Sequence, residues 1–550
     1  MTGPATPEGP ATPPHAVSSG RHVNVYLVGA GPGDPGLLTC RAAKLLSMAD
    51  VVLYDRLVDP RVLAMAHGGA TLIDVGKQPG KAQRQQDINA MLVEQGSTGK
   101  CVIRLKGGDP FLFGRGGEEA EALQRAGVLF EVVPGVSSSL AAPAYAGIPV
   151  THRGMASSVT VVTGHVEDQG GSAEGARVDW ESLGRAGGTL VILMGIARRA
   201  EIACQLVDSG RDPSTPVAVV QWGTTRRQRT IRTTLADLGE VEAEPPSVIV
   251  VGSVAALSYQ WFELQPLHGL SVVVTRSTAQ AGELSSLLDQ AGADVVELPV
   301  IEITDPSDAG EELSKAALRV GSFAWVVFTS ANAVQRFLEV LGDVRALAGT
   351  RLAAVGPATA GALASRGLVA DIVAPVSTAE GLVAAMPAYD GGAGASDRRG
   401  TVLFPRAEEA RDVLAPGLRA KGWEVEEVVA YRTVCAGCLD PRMIAAAGRA
   451  DLVTFASPSA VRCYVGVSAL SGPGRVGISA GCAGSAAIEP GGAISARTQA
   501  AACTGPVTAD AAREAGFDVV AVAETPVAAS LVDAIVAWHG ASAFSGEAGS

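Results

Sequence analysis

The 550-residue sequence has no apolar run long enough to cross a membrane, although hydrophobic residues make up 47% of it. It also lacks the basic and then apolar start of a secretory signal. Residues 1–22 are instead rich in Pro, Ala and Ser and predict a disordered tail. We therefore expect a soluble protein without a membrane partner. The length exceeds what a single core organises and predicts three or four compact units.

Cysteine and positive charge are both scarce. The eight cysteines are scattered along the chain, which predicts free thiols and a cytoplasmic location. Cys435 and Cys438 have the spacing of half a zinc site, but no second pair or nearby histidine completes four ligands, so we expect no metal. The 43 basic residues are outnumbered by 56 acidic ones, and the net charge of −13 argues against nucleic acid as a partner. An anionic substrate would need a local cluster of basic side chains.

Short β-branched runs alternate with Ala- and Leu-rich helical patterns along most of the sequence. This alternation predicts an α/β protein with largely parallel sheets, because parallel strands are covered on both faces and are joined by helices. The alternation breaks at "WFELQPLHGL" (261–270), where we place the main domain boundary.

The second half of the chain repeats itself. Three segments recur in the same order: 272–300 resembles 402–430, 326–334 resembles 453–461, and 354–367 resembles 503–516. Such a repeat predicts two similar α/β lobes, and a cleft between two lobes suits a ligand. The Gly-, Ala- and Ser-rich stretches 390–400 and 467–500 are predicted to be loops.

The stretch "RLKGGDPFLFGRGGEE" (104–119) follows an apolar run and places Gly107, Gly108 and Asp109 at the predicted end of a strand. Glycines at a strand end let a ligand approach bare backbone. A phosphate loop would place its lysine after the glycines, whereas here Lys106 precedes them and an acid follows. Since an acid suits a ribose hydroxyl or a cation, the stretch predicts a nucleoside-like, positively charged ligand.

A second glycine-rich turn, "GAGPGDPG" (29–36), lies between a predicted strand and a predicted helix. A dinucleotide-binding fold would require a third glycine where this sequence has Asp34. Asp50 or Asp55 could still serve as the ribose-binding acid of such a fold, so a nicotinamide-dependent oxidoreductase stays open as an alternative.

The first half resembles the uroporphyrinogen-III C-methyltransferase family. The matching segments are "GAGPGDPGLLT", "VVLYDRLV", "VGK", "RLKGGDPFLFGRGGEE", "EVVPGVSS", "AYAGIPVTHR", "VTGH" and "LMG". They occur in the family's order across residues 24–260. The resemblance implies a tetrapyrrole-methylase fold of two subdomains over residues 23–262, and a homodimer through this half. It also implies that S-adenosylmethionine is the co-substrate and donates two methyl groups to uroporphyrinogen III.

The same resemblance assigns residue roles. Positions expected to bind S-adenosylmethionine are Pro32, Gly107, Gly108, Asp109, Leu112, Ser137, Ser138, Met194 and Gly223. Asp55 matches the family's proposed base, which removes a proton after methylation, and Lys77 matches its proposed proton donor. Basic residues expected to bind the carboxylates of the substrate are Arg56, Arg104, Lys106, Arg115 and Arg153. A histidine that the family often carries after the "VGK" lysine is absent here, so no residue within 78–86 is assigned.

The second half resembles the uroporphyrinogen-III synthase family. The matching segments are "VVVTR", "VVFTSANAV", "AVGPATA", "EVVAYRTV", "TFASPSAV" and "TGPVTA". The resemblance implies a two-lobed α/β synthase at 270–540, with a cleft between its lobes. The first lobe is expected at 270–302 plus 432–540 and the second at 303–431. Tyr431 matches a tyrosine thought to help the hydroxyl group of the substrate leave.

Polar side chains at predicted helix starts are the candidate substrate-binding residues of the second half. They are Ser330, Thr359, Ser457 and Thr508. The N–H groups of a helix start bind anions, and Ser457 and Thr508 also match family positions that hold substrate carboxylates. Helix capping is the alternative role for each of the four side chains.

Together the two resemblances imply a bifunctional enzyme of tetrapyrrole biosynthesis. Its second half would close hydroxymethylbilane to uroporphyrinogen III, and its first half would methylate that product to precorrin-2, on the route to sirohaem or cobalamin. Two alternatives remain: the nicotinamide-dependent oxidoreductase, and a methyltransferase whose second half only binds tetrapyrrole.

Overall fold

The computed structural model describes residues 23–76, 85–165, 178–389, 400–409, 413–437, 439–470 and 499–547. The chain divides into two compact units, Met1–Leu264 and Gln265–Ser550. The predicted tail at 1–22 and the candidate proton donor Lys77 lie outside the described residues. Among the described helices, none combines the length and the hydropathy that crossing a membrane requires.

Strands and helices alternate through most of the first unit. Its strands are β1 (Val25–Gly29), β2 (Val51–Tyr54), β3 (Thr71–Asp74), β4 (Val102–Lys106), β5 (Phe130–Val133), β6 (Val159–Thr163), β7 (Thr189–Leu193), β8 (Pro216–Gln221), β9 (Arg229–Thr234) and β10 (Ser247–Val251). Its helices are α1 (Cys40–Leu46), α2 (Pro60–Leu63), α3 (Gln85–Gly96), α4 (Gly116–Arg125), α5 (Ser138–Tyr145), α6 (Trp180–Arg185) and α7 (Arg199–Asp208).

The first sheet of this unit is parallel and has the strand order β3-β2-β4-β1-β5. β2 and β4 are buried along their whole length, as expected for strands covered on both faces. One face packs against α1 and α2 through Leu46 and Leu63, and the other packs against α3 and α4 through Leu92 and Leu123. Because the strands are parallel, all their carboxyl ends lie at one edge, where ligands of such sheets bind.

The second sheet of the first unit is mixed and has the order β6-β7-β10-β8-β9. β6 and β7 are parallel, whereas the pairs β7–β10, β10–β8 and β8–β9 are antiparallel. The prediction of largely parallel sheets is therefore wrong for this sheet, because an apolar run buried on both faces looks the same in either strand direction. Leu193 of β7 shares a buried cluster with Ala142 of α5, which joins the two subdomains.

Strands and helices also alternate through the second unit. Its strands are β11 (Ser271–Val274), β12 (Asp294–Glu297), β13 (Ile301–Thr304), β14 (Trp325–Phe328), β15 (Arg351–Ala354), β16 (Ile372–Val373), β17 (Thr401–Ala407), β18 (Glu424–Cys435), β19 (Leu452–Phe455), β20 (Ala500–Cys503) and β21 (Asp518–Val522). Its helices are α8 (Thr278–Gln290), α9 (Glu311–Leu318), α10 (Ala331–Leu341), α11 (Pro357–Ala364), α12 (Ala379–Ala385), α13 (Leu414–Ala420), α14 (Pro441–Ala447), α15 (Pro458–Leu470), α16 (Pro506–Glu514) and α17 (Ala528–Glu547).

These elements form two lobes, each built on one sheet. The first lobe has the parallel order β12-β11-β19-β20-β21, and the second has the order β13-β18-β17-β14-β15-β16. In the second sheet β13 runs antiparallel to β18, with Ile301 opposite Cys435, and the other pairs are parallel. The chain passes from the first sheet to the second between β12 and β13, and returns after β18. The two passages lie side by side, since the amide of Ala436 donates to the carbonyl of Val300 at 2.9 Å.

Two expectations about the second unit are corrected. Cys435 at the end of β18 and Cys463 in α15 form a disulfide, with their Cα atoms 5.3 Å apart, so the prediction of free thiols is wrong for this pair. The pairing depends on how α15 packs beside the linking strand, which cysteine spacing does not reveal. The predicted loop 467–500 begins as helix, because α15 continues to Leu470, and most of the remainder lies outside the described residues.

Candidate active sites

Three glycines bring the carboxyl ends of the neighbouring strands β4, β1 and β5 into contact. A Cβ atom on Gly135 would lie 2.3 Å from the carbonyl oxygen of Gly108, and one on Gly29 would lie 2.6 Å from the same oxygen. No side chain fits at such distances, so glycine is required at both positions. The strand ends therefore present closely packed bare backbone at this edge of the first sheet.

The loop after β4 extends this glycine-lined edge. Gly108 has φ +68°, a left-handed conformation that favours glycine, and it exchanges backbone hydrogen bonds with Gly31 at 2.7 and 3.3 Å. Gly107 is exposed, and among the described residues a Cβ atom there would meet only the Leu57 side chain, at 3.8 Å. The described part of the chain thus leaves the backbone at Gly107 uncovered.

Asp109, the predicted donor-binding acid, is held by the protein itself. Its two carboxylate oxygens accept hydrogen bonds from the amides of Phe111, at 2.8 Å, and Gly135, at 3.1 Å. These bonds tie the loop after β4 to the loop after β5. The structure therefore gives Asp109 a bracing role at the edge of the sheet, a role that the sequence analysis missed.

The other predicted donor-binding residues follow five different strands. Pro32 follows β1, Leu112 belongs to the loop after β4, Ser137 and Ser138 follow β5, Met194 follows β7, and Gly223 follows β8. The hydroxyl group of Ser137 accepts the amide of Ser139 and caps α5. Met194 has φ +56° and a half-exposed side chain.

The loop after β8 packs against the first subdomain. A Cβ atom on Gly223 would lie 2.4 Å from that of Ala142 in α5. The hydroxyl group of Thr224 accepts the amide of Asp34 at 3.2 Å. The structure therefore brings the Gly223 loop beside the glycine-rich turn of residues 29–36.

Asp55, the candidate base, lies directly after β2 at the same edge of the sheet and belongs to a buried ion cluster. The cluster contains Asp55, Arg104, Lys106 and Glu119. Nη2 of Arg104 lies 2.5 Å from Asp55 Oδ1, and Nε of Arg104 lies 2.9 Å from Glu119 Oε1. Nζ of Lys106 lies 2.9 Å from the same Glu119 oxygen and 4.0 Å from Asp55 Oδ2. Asp55 is thus linked to Glu119 through two cations.

The surroundings of the two cations shift their pKa values in opposite directions. Burial lowers the pKa of Lys106 below its ordinary value, and the neighbouring charge of Arg104 adds to that shift. Burial also acts to lower the pKa of Arg104, but the charges of Asp55 and Glu119 outweigh it and raise that pKa. The guanidinium group of Arg104 is therefore the firmly charged partner of Asp55.

This arrangement corrects the roles predicted for Arg104 and Lys106. Both side chains are enclosed and already paired with carboxylates, so neither is placed to contact a carboxylate of the substrate. The other three predicted substrate-binding cations, Arg56, Arg115 and Arg153, are exposed. Glu119 was not among the predicted site residues, although it is the second acid of the "RGGEE" segment and the first helical turn favours acids.

The structure does not favour the nicotinamide-dependent oxidoreductase that the sequence left open. Asp34 accepts hydrogen bonds from the Gly36 amide and the Tyr145 hydroxyl, both at 2.7 Å. Asp50 precedes β2, at the opposite edge of the sheet, and accepts the Cys101 amide at 2.8 Å. Asp55 is paired with Arg104. Of the two acids considered for the ribose, Asp50 therefore lies at the wrong edge of the sheet and Asp55 is already paired with a cation, while Asp34 stands where a dinucleotide fold requires a glycine.

Tyr431, the candidate residue of the second unit, lies at an irregularity in β18. The register between β17 and β18 shifts after Arg406, so that Ala407 faces Tyr431. Such a bulge redirects the side chains that follow it. Tyr431 is buried, and its hydroxyl lies 3.0 Å from the hydroxyl of Ser330.

The four polar residues at predicted helix starts fall into two pairs. Ser330 and Ser457 accept hydrogen bonds from the amides of Ala333, at 3.1 Å, and Ala460, at 3.3 Å, which confirms the capping role for both. Thr359 and Thr508 are each the third residue of their helix, in α11 and α16, and both are buried. The corresponding residues of the two lobes therefore occupy the same positions relative to their helices.

Comparison with known proteins identifies two families in the chain. The Tetrapyrrole (Corrin/Porphyrin) Methylases family matches residues 24–239, and the Uroporphyrinogen-III synthase HemD family matches residues 282–533. The porphyrin biosynthesis protein HemD of Ruminiclostridium josui is 38% identical over 460 residues, which cover 81% of this chain and 88% of the relative. An S-adenosyl-L-methionine-dependent uroporphyrinogen III methyltransferase of Methanosarcina barkeri is 48% identical over 244 residues, which cover 44% of this chain and 94% of the relative.

A solved structure also matches the first unit. It is the uroporphyrin-III C-methyl transferase from Thermus thermophilus complexed with S-adenyl homocysteine. The match has 45% sequence identity and a TM-score of 0.37, and it covers 42% of this chain and 98% of that chain.

The fold and the matched families together define a tetrapyrrole methylase joined to a two-lobed synthase in one chain. The chain belongs to the uroporphyrinogen-III C-methyltransferase family in its first unit and to the uroporphyrinogen-III synthase family in its second, and is a bifunctional enzyme of tetrapyrrole biosynthesis. The comparisons favour neither the oxidoreductase nor a second half that only binds tetrapyrrole.

Proposed function

We propose that the second unit closes hydroxymethylbilane to uroporphyrinogen III with loss of water, and that the first unit methylates this product twice to precorrin-2. Each methyl group would come from S-adenosylmethionine, and each transfer would yield S-adenosylhomocysteine and a proton. The observation that carries the first-unit assignment is the position of Asp55 beside the glycine-lined edge, at the carboxyl ends of adjacent parallel strands. The Asp55 carboxylate and the glycine-lined backbone therefore lie at one edge of the sheet.

The glycine-lined edge fits the methyl donor. The open backbone at Gly107 would let the nucleoside approach closely, and Pro32, Ser137 and Gly223 lie on loops that meet there. A sulfonium donor is already activated, so the protein chiefly positions it and excludes water. Asp109 would contribute by holding two of these loops together.

Asp55 would act as the base that takes the proton lost after methylation. Its side chain is 34% exposed, whereas Arg104, Lys106 and Glu119 are enclosed, so a substrate can reach only this member of the cluster. Lys77 keeps its proposed role as proton donor through the resemblance alone.

The exposed arginines of the first unit would bind the substrate's carboxylates. Arg56 adjoins Asp55, and Arg115 lies in the loop before α4 with φ +57°, where it pairs with Glu118 at 2.7 Å. Arg153 follows the helix α5, which the donor loops also contact. Arginine suits this role because its planar guanidinium group binds a carboxylate through two hydrogen bonds.

In the second unit, Tyr431 would donate a hydrogen bond to the hydroxyl group that leaves as water. Ser330 would hold the phenol group in position, since the two hydroxyls lie 3.0 Å apart. The amides at the starts of α11, α15 and α16 would bind substrate carboxylates near Thr359, Ser457 and Thr508.

Two broader assignments are also proposed. The scattered cysteines, of which Cys40, Cys101, Cys204 and Cys503 are free, support a cytoplasmic location, and the resemblance supports a homodimer through the first unit. Large exposed apolar side chains in that unit, among them Leu140, Met155 and Trp261, support a subunit contact. Light scattering of the purified chain tests the dimer.

The test of the two-reaction assignment uses the whole chain supplied with hydroxymethylbilane and S-adenosylmethionine. The wild-type chain should form precorrin-2. Asp55→Asn should release uroporphyrinogen III but form precorrin-2 about 10²–10⁴-fold more slowly, because it has lost a general base. Asp208→Asn, a substitution at an exposed position of the same unit, should match the wild type. Equal loss of ring closure and methylation in a folded Asp55→Asn chain would contradict the assignment.

A further inference from the structure

The buried ion cluster has only one member that a ligand can reach. The side chains of Arg104, Lys106 and Glu119 are 2%, 3% and 0% exposed, whereas that of Asp55 is 34% exposed. Enclosing three charged groups costs free energy that their pairing offsets only in part. Stability alone therefore gives little reason for the cluster, which points to a role at Asp55.

Glu119 controls the geometry of the cluster from its enclosed end. Its Oε1 accepts hydrogen bonds from Nε of Arg104 and Nζ of Lys106, both at 2.9 Å. The guanidinium group is rigid and planar, so a fixed Nε also fixes the Nη2 atom that contacts Asp55. The position of Glu119 is thus transmitted to the Asp55 carboxylate through a single planar group.

The enclosed members are also held by regular secondary structure. Arg104 and Lys106 are alternate residues of β4, so their side chains leave the same face of the strand, and Glu119 lies in the first turn of α4. Gln85 at the start of α3 adds a hydrogen bond to Glu119 at 3.3 Å. Asp55, in contrast, is in the loop after β2 and depends on contacts from these elements.

We propose that Glu119 is a positioning residue for methyl transfer, which acts through Arg104 and Lys106 to hold the Asp55 carboxylate at the sheet edge. This inference rests on the proposed role of Asp55 as the base. Without the charge of Glu119, Asp55 would be the one carboxylate partner that the described residues give both buried cations. They would draw it inward, away from the substrate.

The test compares Glu119→Gln with Glu121→Gln, which alters an exposed acid of the same helix. Glu119→Gln should lower kcat for methylation of uroporphyrinogen III about ten- to a hundredfold, because a small misplacement of a reacting group costs that much. The KM values for substrate and S-adenosylmethionine should stay within about threefold of the wild type, since Glu119 touches neither ligand site. Glu121→Gln should behave as the wild type does.

A double-mutant cycle separates positioning from general damage. If Glu119 acts through Asp55, Glu119→Gln should have little further effect on the residual rate of Asp55→Asn. Arg104→Lys, which keeps the charge but not the planar link, should show the same pattern and provides a second variant if Glu119→Gln folds poorly. Binding of S-adenosylhomocysteine, measured by calorimetry, reports whether each variant is folded.

The outcomes are distinct for the two proposals. An unchanged kcat in either folded variant, or a loss that multiplies fully with that of Asp55→Asn, overturns the positioning role of Glu119. An Asp55→Asn chain that methylates at the wild-type rate overturns the proposed base instead. Loss of S-adenosylhomocysteine binding in both Glu119→Gln and Arg104→Lys would show that the cluster supports the fold rather than the base, and would also overturn the inference.

Discussion

The phenolic hydroxyl of Tyr431 lies 3.0 Å from the hydroxyl of Ser330, so the strand that leads between the lobes is joined to the start of α10. Ser330 also accepts the amide of Ala333, which fixes its own side chain. The two hydroxyls, which lie 101 positions apart in the sequence, are therefore hydrogen-bonded to each other within the second lobe. The contact holds the phenol group in one orientation, and when the Ser330 hydroxyl is the donor the phenolic O–H stays available to donate to a ligand.

This contact predicts different effects for its two partners. Tyr431→Phe removes the donor and should slow ring inversion, so that spontaneous closure yields more of the uninverted isomer. Ser330→Ala keeps the phenol group but loses a cap and an anchor, so it should give a smaller shift toward that isomer and cost about 1 kcal/mol of stability. Chromatographic separation of the two uroporphyrinogen isomers measures both effects. A Tyr431→Phe chain that keeps the wild-type isomer ratio would exclude the proposed role.

The convergence of glycines at the first sheet predicts that Gly135→Ala disrupts the first unit. The new Cβ would lie 2.3 Å from the Gly108 carbonyl oxygen and 2.8 Å from Gly29 Cα, so the strand ends must separate. S-Adenosylhomocysteine binding should fall at least tenfold in calorimetry. Gly117→Ala is the matched control, since no described residue lies within 4 Å of its Cβ position and alanine favours the helix α4. A Gly135→Ala chain with wild-type affinity would show that these backbones do not form the donor site.

The two hydrogen bonds of Asp109 predict a graded loss. Asp109→Ala leaves the amides of Phe111 and Gly135 without their acceptor and should destabilise the first unit by about 1–3 kcal/mol, with a parallel loss of donor affinity. Asp109→Asn keeps one acceptor oxygen and should lie between Asp109→Ala and the wild type. Urea unfolding and calorimetry measure the two losses. If Asp109→Ala lost donor affinity at full stability, the acid would contact the donor directly, contrary to the bracing role.

Much of the architecture could be predicted because strands, helices and turns follow from local patterns. Apolar runs, glycines at strand ends and the repeat in the second half predicted α/β units with loops between their elements. The bare backbone at Gly107 could be predicted in this way, and Asp55 lies at the same edge because both residues follow strands of one parallel sheet. Strand direction was less predictable, as the mixed second sheet shows.

The buried ion cluster could not be predicted in the same way. Arg104 and Lys106 were expected to bind carboxylates of the substrate, because an anionic substrate needs a local cluster of basic side chains in an acidic protein. Their burial depends on Glu119, which reaches them only when α4 packs on β4. The sequence carried one signal, namely two cations at alternate positions of a strand that is otherwise apolar. The disulfide depended on packing in a similar way.

The Cys435–Cys463 disulfide predicts that reduction destabilises the second unit. The bond joins the end of β18 to α15 and spans 28 residues of the sequence. Closing a loop of that size stabilises a fold by about 3–4 kcal/mol, so a reductant should lower the melting temperature of the second unit by roughly 5–10 °C. Cys463→Ala should melt at the lower temperature with or without reductant. Cys204→Ser, at an exposed free thiol of the first unit, should keep the wild-type response. Calorimetric scans of the whole chain with and without dithiothreitol make the comparison. If the second-unit transition of the wild-type chain does not change with reductant, the bond does not stabilise this unit.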